Sequence, residues 1–164
     1  MGELHHLPVM INEVTELLVC QPDRIYVDCT LGEGGHAIEI LKKSSPTGRL
    51  IGIDCDLGAI EIAKRRLEPF QERVNFIHEN FINLRIVLEG LKIKEIDGIF
   101  FDLGVSSYQL DSKERGFSFQ LESPLDMRFD QRVNFSAYEV VNKFSTTKIE
   151  EILREYGEER WAKK

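Results

Sequence analysis

Three aspartates, Asp28, Asp54 and Asp102, each end a run of apolar residues, and a glycine-rich turn follows the first of them. The turn, Gly32-Glu-Gly-Gly-His36, holds Gly32, Gly34 and Gly35, which lack a Cβ and let the backbone bend tightly and lie close to a ligand. A strand-end carboxylate can accept from both hydroxyls of a ribose. Asp54 stands roughly 20 positions beyond the glycines, where nucleoside-binding folds put that group. The glycines read G-x-G-G rather than the full G-x-G-x-x-G, and turns of this kind without a ligand are common. Any one strand-end aspartate also serves as a turn or capping residue. Three of them around one glycine loop favour a nucleoside-containing cofactor. His36, at the start of the following helix, takes its role from whatever the loop binds.

Such residues need a scaffold that delivers several strand ends to one edge. Residues 25–28, 50–54, 74–77 and 96–102 are short apolar runs that read as strands. Helical patterns lie between them. Ile38 and Leu41 point inward from a helix that stops before Ser44, and Ala59, Ile60, Ala63 and Leu67 share a stripe over 57–67. Phe81, Leu84, Leu88 and Leu91 form another stripe after Asn80 as N-cap. This alternation predicts an α/β fold with a parallel sheet covered on both faces. Ahead of the first strand, residues 6–14 open a short amphipathic helix, with Pro8 in its first turn and Val14, Leu17 and Leu18 on its apolar face. Residues 103–135 break the rhythm, and a long irregular stretch at this edge is a functional signal. Two helices then begin at capping boxes, Ser136 with Glu139 and Thr147 with Glu150, and the chain runs out at the edge of another helix.

The 164 residues suffice for one domain with a real core, and 42% hydrophobic with 30% charged residues are ordinary proportions for a soluble globular protein. No apolar run approaches the roughly 20 residues of a bilayer span. The N-terminus reads as neither a signal peptide nor a myristoylation site, so a cytoplasmic protein without a membrane partner is expected. A net charge of −7 argues against broad, non-specific nucleic-acid binding but leaves room for a structured RNA met by a local patch. Lys64, Arg65 and Arg66 read as a solvated helix end that complements the dipole rather than as that patch. Cys20, Cys29 and Cys55 lack metal spacing and suggest a reducing compartment, with Cys29 and Cys55 as small buried residues. No metal is expected, since His5 and His6 are terminal and His78 stands alone beside a strand end.

Taken together, the motifs resemble the ribosomal RNA small-subunit methyltransferase H family. They are His6-Leu-Pro-Val9 with Glu13-Val14, Asp28-Cys-Thr-Leu-Gly-Glu-Gly-Gly-His36, Gly52-Ile-Asp54, Asn80-Phe81 and Asp102-Leu-Gly-Val-Ser-Ser107. Gln109-Leu-Asp111, Glu114-Arg-Gly-Phe-Ser-Phe119, Pro124-Leu-Asp-Met-Arg128, Val141-Asn142 and Tyr156-Gly-Glu-Glu159 complete the set. R-G-F-S-F followed by P-L-D-M-R is far more specific than any nucleotide loop.

The resemblance implies a Rossmann-like S-adenosylmethionine-dependent methyltransferase fold. It implies a cofactor-binding core in residues 1–107 and an insertion for substrate recognition in 108–164. The implied reaction is methyl transfer to the exocyclic N4 of a cytidine in the decoding centre of 16S rRNA, with the small ribosomal subunit as partner. Carried over by motif, the cofactor contacts are Gly34, Gly35, His36, Asp54, Phe81, Asp102 and Gln109. His36 and the loop N–H groups would meet the methionine carboxylate, Asp54 the ribose and Phe81 the adenine. Asp102, with Gln109, would lie near the transfer site and is the candidate catalytic residue. Ser106, Ser107, Arg115 and Arg128 are the candidate substrate contacts. Family members are longer and have strands beyond the fourth, so an N-terminal portion or a shortened protein is expected, its sheet incomplete after strand four. An exposed apolar edge there would favour oligomerisation, a homodimer in the simplest case. Two other readings stay open: a module that binds cofactor, RNA or protein without turnover, and a nicotinamide-dependent oxidoreductase, against which the insertion motifs weigh.

Overall fold

The computed structural model describes residues 8–163. Two compact units are distinguished, one up to Tyr108 and one from Gln109 onward. The first contains β1 (Ile25–Asp28), β2 (Arg49–Asp54), β3 (Val74–His78) and β4 (Gly98–Phe100), all parallel, in the order β3-β2-β1-β4. The chain builds outward from β1 to β3, then crosses back to lay β4 on the other side of β1. Ligands in such sheets bind at this reversal, outside the carboxyl ends of the strands. Asp28 pairs in register with Gly52 of β2 and Phe100 of β4, which brings the strand ends into one row.

Alternation along each strand divides the core between the two faces. Tyr26, Leu50 and Val74 meet Ala37, Ile40 and Leu41 of α2 (Gly35–Lys43) and Ala63 of α3 (Leu57–Arg66), with Leu67 just beyond it. On the other face Val27, Cys29, Ile51 and Ile53 meet Leu84, Val87 and Leu88 of α4 (Leu84–Gly90), with Leu91 beyond. Each fully buried aliphatic side chain contributes roughly 1.5–3 kcal/mol, so two packed faces hold the sheet rigid beneath its carboxyl edge.

Several expectations need correction. The first helix, α1 (Ile11–Leu17), starts after Pro8, and the part of the expected helix in residues 6 and 7 lies outside the described residues, as do His5 and His6. Leu17 is 83% exposed, whereas Thr15 is buried because its hydroxyl donates locally to the Ile11 and Asn12 carbonyls. The stripe starting at Phe81 is interrupted. Asn80 caps a single 3-10 turn, Phe81–Asn83, before α4 begins, and this leaves Phe81 outside the packed face. β4 is shorter than residues 96–102: Asp97 instead accepts from the Ile25 N–H and Arg24, at the edge remote from the aspartate row.

A short helix, α5 (Ser107–Asp111), spans the division between the units. The second unit adds α6 (Ala137–Lys143) and α7 (Thr146–Glu155). The Ser136–Glu139 capping box is present, but α7 is capped by Ser145, whose hydroxyl accepts from the Lys148 N–H, and Thr147 lies inside the helix. No further helix follows α7 among the described residues.

Candidate functional site

The loop after β1 ends at Gly34, the N-cap of α2, in the left-handed region at φ 80°. A Cβ there would stand 3.0 Å from Leu67 Cδ1, so both conformation and packing require glycine. A Cβ on Gly35 would stand 2.4 Å from Pro8 Cγ. Gly35 therefore makes room for Pro8, which packs on the glycine loop. Sequence reading assigned that room to a ligand.

Asp54, at the end of β2, accepts from the Gly32 N–H through Oδ2 (2.7 Å) and from the Asp56 N–H through Oδ1 (2.9 Å). It ties the second strand to the glycine loop, and each oxygen keeps a lone pair for a further donor. Burial raises its pKa. Asp28 is fully buried beneath the loop and accepts from the Thr30 N–H at 3.1 Å. Burial, with the negative charges of Asp54 and Asp102 nearby, pushes its carboxyl up to about 7. Thr30 Oγ1 accepts from the Asp102 N–H at 2.7 Å and so fastens the chain leaving β4 to the loop leaving β1.

His36 stands at the reversal point between those two strands. It is 6% exposed, its ring is 4.6 Å from that of Phe100, and burial holds its pKa below the ordinary imidazole value. Neither ring nitrogen has a hydrogen-bond partner among the described residues, and Nε2 is 3.7 Å from Asp102 Oδ2. Leaving buried polar atoms unpaired costs roughly 1–3 kcal/mol each. A neutral imidazole presents one donor and one acceptor, so the ring has one of each to offer a polar group. The Asp102 side chain, by contrast, is 58% exposed. Across the same edge Phe81 and Phe101 meet edge to face at 5.5 Å, linking the end of β3 to that of β4.

The structure thus brings Gly34, Gly35, His36, Asp54, Phe81 and Asp102 together in one unit, with Ser106 and Ser107 half-buried at the start of α5. Gln109, Arg115 and Arg128 belong to the second unit. Gln109 is buried in α5. Arg115 is buried and gives its guanidinium to the carbonyls of Arg128 (2.6 Å) and Phe129 (3.2 Å). Arg128 forms a forked pair with Asp126 and reaches the Val133 carbonyl. The Arg115 carbonyl accepts from the Met127 N–H, and a Cβ on Gly116 would stand 2.1 Å from the Pro124 oxygen. The R-G-F and P-L-D-M-R motifs are therefore two halves of one interlocked loop. Sequence reading missed Thr30, Pro8 and Phe101 as site builders. Phe101 had a signal, since it directly precedes the last aspartate.

A model of the MraW methylase family matches residues 3–164. The chain belongs to that family. Ribosomal RNA small subunit methyltransferase H of Clostridioides difficile (strain 630) is 49% identical over 162 residues, which are 99% of this chain and 52% of that protein. Its namesake in Caldicellulosiruptor saccharolyticus is 52% identical over 159 residues, 97% of this chain and 52% of that protein. The chain spans about half the length of the curated relatives it matches. Among solved structures, the O-methyltransferase TomG from Streptomyces achromogenes, in complex with SAM, superposes with a TM-score of 0.51 at 19% identity, covering 63% of this chain and 47% of that one. The fold is Rossmann-like, as expected, and membership of a methylase family sets aside the oxidoreductase reading.

Proposed function

We propose that this chain binds S-adenosylmethionine and directs its methyl group to the exocyclic N4 of a cytidine in the decoding centre of 16S rRNA, met in the small ribosomal subunit. The observation that carries the reading is His36: a buried, unpartnered imidazole at a glycine turn, facing a strand-end carboxylate at the reversal of a parallel sheet. The residues fit the cofactor. The loop N–H groups and His36 meet the methionine carboxylate at the start of α2, Asp54 takes the ribose hydroxyls, Phe81 packs on the adenine, and Asp102 lies at the polar tail.

When bound, the cofactor supplies an electrophilic methyl group on a positively charged sulfur. The chain's own contribution is alignment and charge. The cytosine amine is neutral and weakly nucleophilic, and it gains positive charge as the N–C bond forms and the S–C bond breaks. Asp102, exposed and anchored through its backbone to Thr30, or else the backbone carbonyls of Leu103 and Gly104, accepts hydrogen bonds from that amine. The methylated amine then loses its proton to solvent without a dedicated base. Ser106 and Ser107, in the segment that follows β4, contact the RNA in this reading. Arg115 and Arg128 act on the substrate by shaping the loop that holds them, since their guanidinium groups are engaged there. In this reading, residues 1–107 are the cofactor core and 108–164 the substrate segment.

Binding without turnover is the second reading. It is favoured by β4, which has a strand neighbour on one side only among the described residues and leaves Ile99, with Phe101 just beyond the strand, exposed. A second copy docking there would give the homodimer, which sedimentation would detect. Methyl-labelled S-adenosylmethionine and unmethylated 30S subunits separate the two readings. N4-methylcytidine in the digested RNA, lost in Asp102→Ala, supports the enzyme. Cofactor binding with no labelled RNA supports the module.

A further inference from the structure

Glu33 has no part in the cofactor reading, yet it is the point at which the chain beyond β4 returns to the glycine loop. Its backbone sits between Gly32 and Gly34. Its Oε1 accepts from the Tyr108 N–H at 3.2 Å, in the first turn of α5. Its Oε2 lies 3.6 Å from Arg66 Nη1, at the end of α3, with both side chains largely shielded. The Tyr108 ring lies along the opposite end of α3, where a Cβ on Gly58 would stand 2.4 Å from its Oη. That turn of α3 is the one capped by Asp56, two residues after Asp54. Tyr108 is therefore fastened twice, by its backbone to the glycine loop and by its ring to the start of α3.

The other end of the same segment is also fixed to the loop after β1, through the Asp102 N–H on Thr30. Residues 102–108 thus form an arc with both feet on one short loop, at Thr30 and Glu33. The arc between is exposed, Leu103 at 73% and Val105 at 47%. An arc pinned at one foot can swing; pinned at both, it holds a fixed height above the glycines.

We propose that Glu33 is a positioning residue, fixing the far foot of the arc so that Asp102, Ser106 and Ser107 are presented to the methyl donor in one arrangement. The proposal rests on the cofactor reading for what the arc faces, but the clamp itself is testable without it. Hydrogen exchange read by mass spectrometry reports the arc, and calorimetry with S-adenosylmethionine reports its consequence. Glu33→Ala speeds exchange across 102–108 by roughly tenfold, the worth of one hydrogen bond to a charged acceptor, while β1 to β3 exchange as before. Cofactor affinity falls in the same variant. Glu33→Gln keeps both near wild type, because the amide oxygen still accepts from Tyr108. Tyr108→Pro, which removes the donor together with the ring and suits a first helical turn, loosens the same segment at least as much with the Glu33–Arg66 contact intact, and Tyr108→Ala, which keeps the N–H, loosens it less. Arg66→Ala leaves the arc closed. Unchanged exchange in Glu33→Ala and Tyr108→Pro overturns the clamp, as does a uniform rise over the whole sheet or an Arg66→Ala variant that reproduces the effect. If wild type fails to bind the cofactor while Glu33→Ala still loosens the arc, the cofactor reading fails and the clamp stands.

Discussion

Charges in the two units are used in opposite ways. In the second unit every prominent pair is satisfied from within: Asp126 forks onto Arg128, Asp130 onto Arg132, and Glu139 caps α6 through Ser136. Hydrogen bonds from Arg128 and from Ser136 hold the Asp126 and Glu139 carboxyls below their ordinary values, and the Arg128 guanidinium is raised in turn. In the first unit Asp97, bonded to Ile25 and Arg24 at the edge remote from the site, is lowered in the same way. Along the carboxyl edge the signs reverse. Burial raises Asp28 and Asp54 and lowers His36, so each of them resists its charged form. Groups whose charge the fold supports build structure, whereas Asp28, Asp54 and His36, whose charge it opposes, stand together at the proposed ligand edge.

The sharpest way to break the contrast is steric. Gly116→Ala places a methyl group against the Pro124 oxygen at φ 70° and should cost about 3 kcal/mol of stability, read by denaturant unfolding. A loss below about 1 kcal/mol would mean that the two motifs are not interlocked. Next comes Asp28. Its folded pKa is raised from the usual value of about 4 to about 7, so the folded state binds its proton more tightly than the unfolded chain does. Stability is therefore greatest at the acid end of that window, falls as pH rises through it, and levels off above. Asp28→Asn should flatten this slope in a series of thermal melts; an unchanged slope assigns it elsewhere. His36→Phe removes two unpartnered polar atoms and should hold or raise the melting temperature while weakening S-adenosylmethionine binding at least roughly tenfold. A variant that unfolds but binds normally would reverse the account of that residue. The smallest effect is expected from Asp126→Asn, which should lower the melting temperature by a few degrees and leave cofactor affinity untouched.

Much of the first unit was legible because it follows short-range rules. Four short apolar runs, three of them ending in aspartate, read as the four strands, and the stripes of α2 and α3 were visible at helical spacing. Legibility failed where a side chain answered a long-range demand or satisfied itself locally. Thr15 is buried because its hydroxyl folds back on the helix, which periodicity does not register. Ser145 outcompetes Thr147 as a cap, although only Thr147 has a glutamate three residues on. Pro8 fills the space at Gly35 from 27 positions away in sequence, and Thr30 bonds a residue 72 positions later. Asp54 could be placed opposite the glycine loop from its spacing, and it does bond the Gly32 N–H. The inward turn of Arg115 could not, since nothing in R-G-F announces which carbonyls its guanidinium will meet.

The central claim is that the carboxyl edge of this sheet is an assembled S-adenosylmethionine site. Calorimetric titration of the chain with that cofactor, beside Asp54→Ala, tests it most directly. Saturable one-to-one binding, weakened at least roughly tenfold in the variant, is the predicted result. A folded chain that shows no heat of binding, or binds equally well without the Asp54 carboxylate, would contradict it.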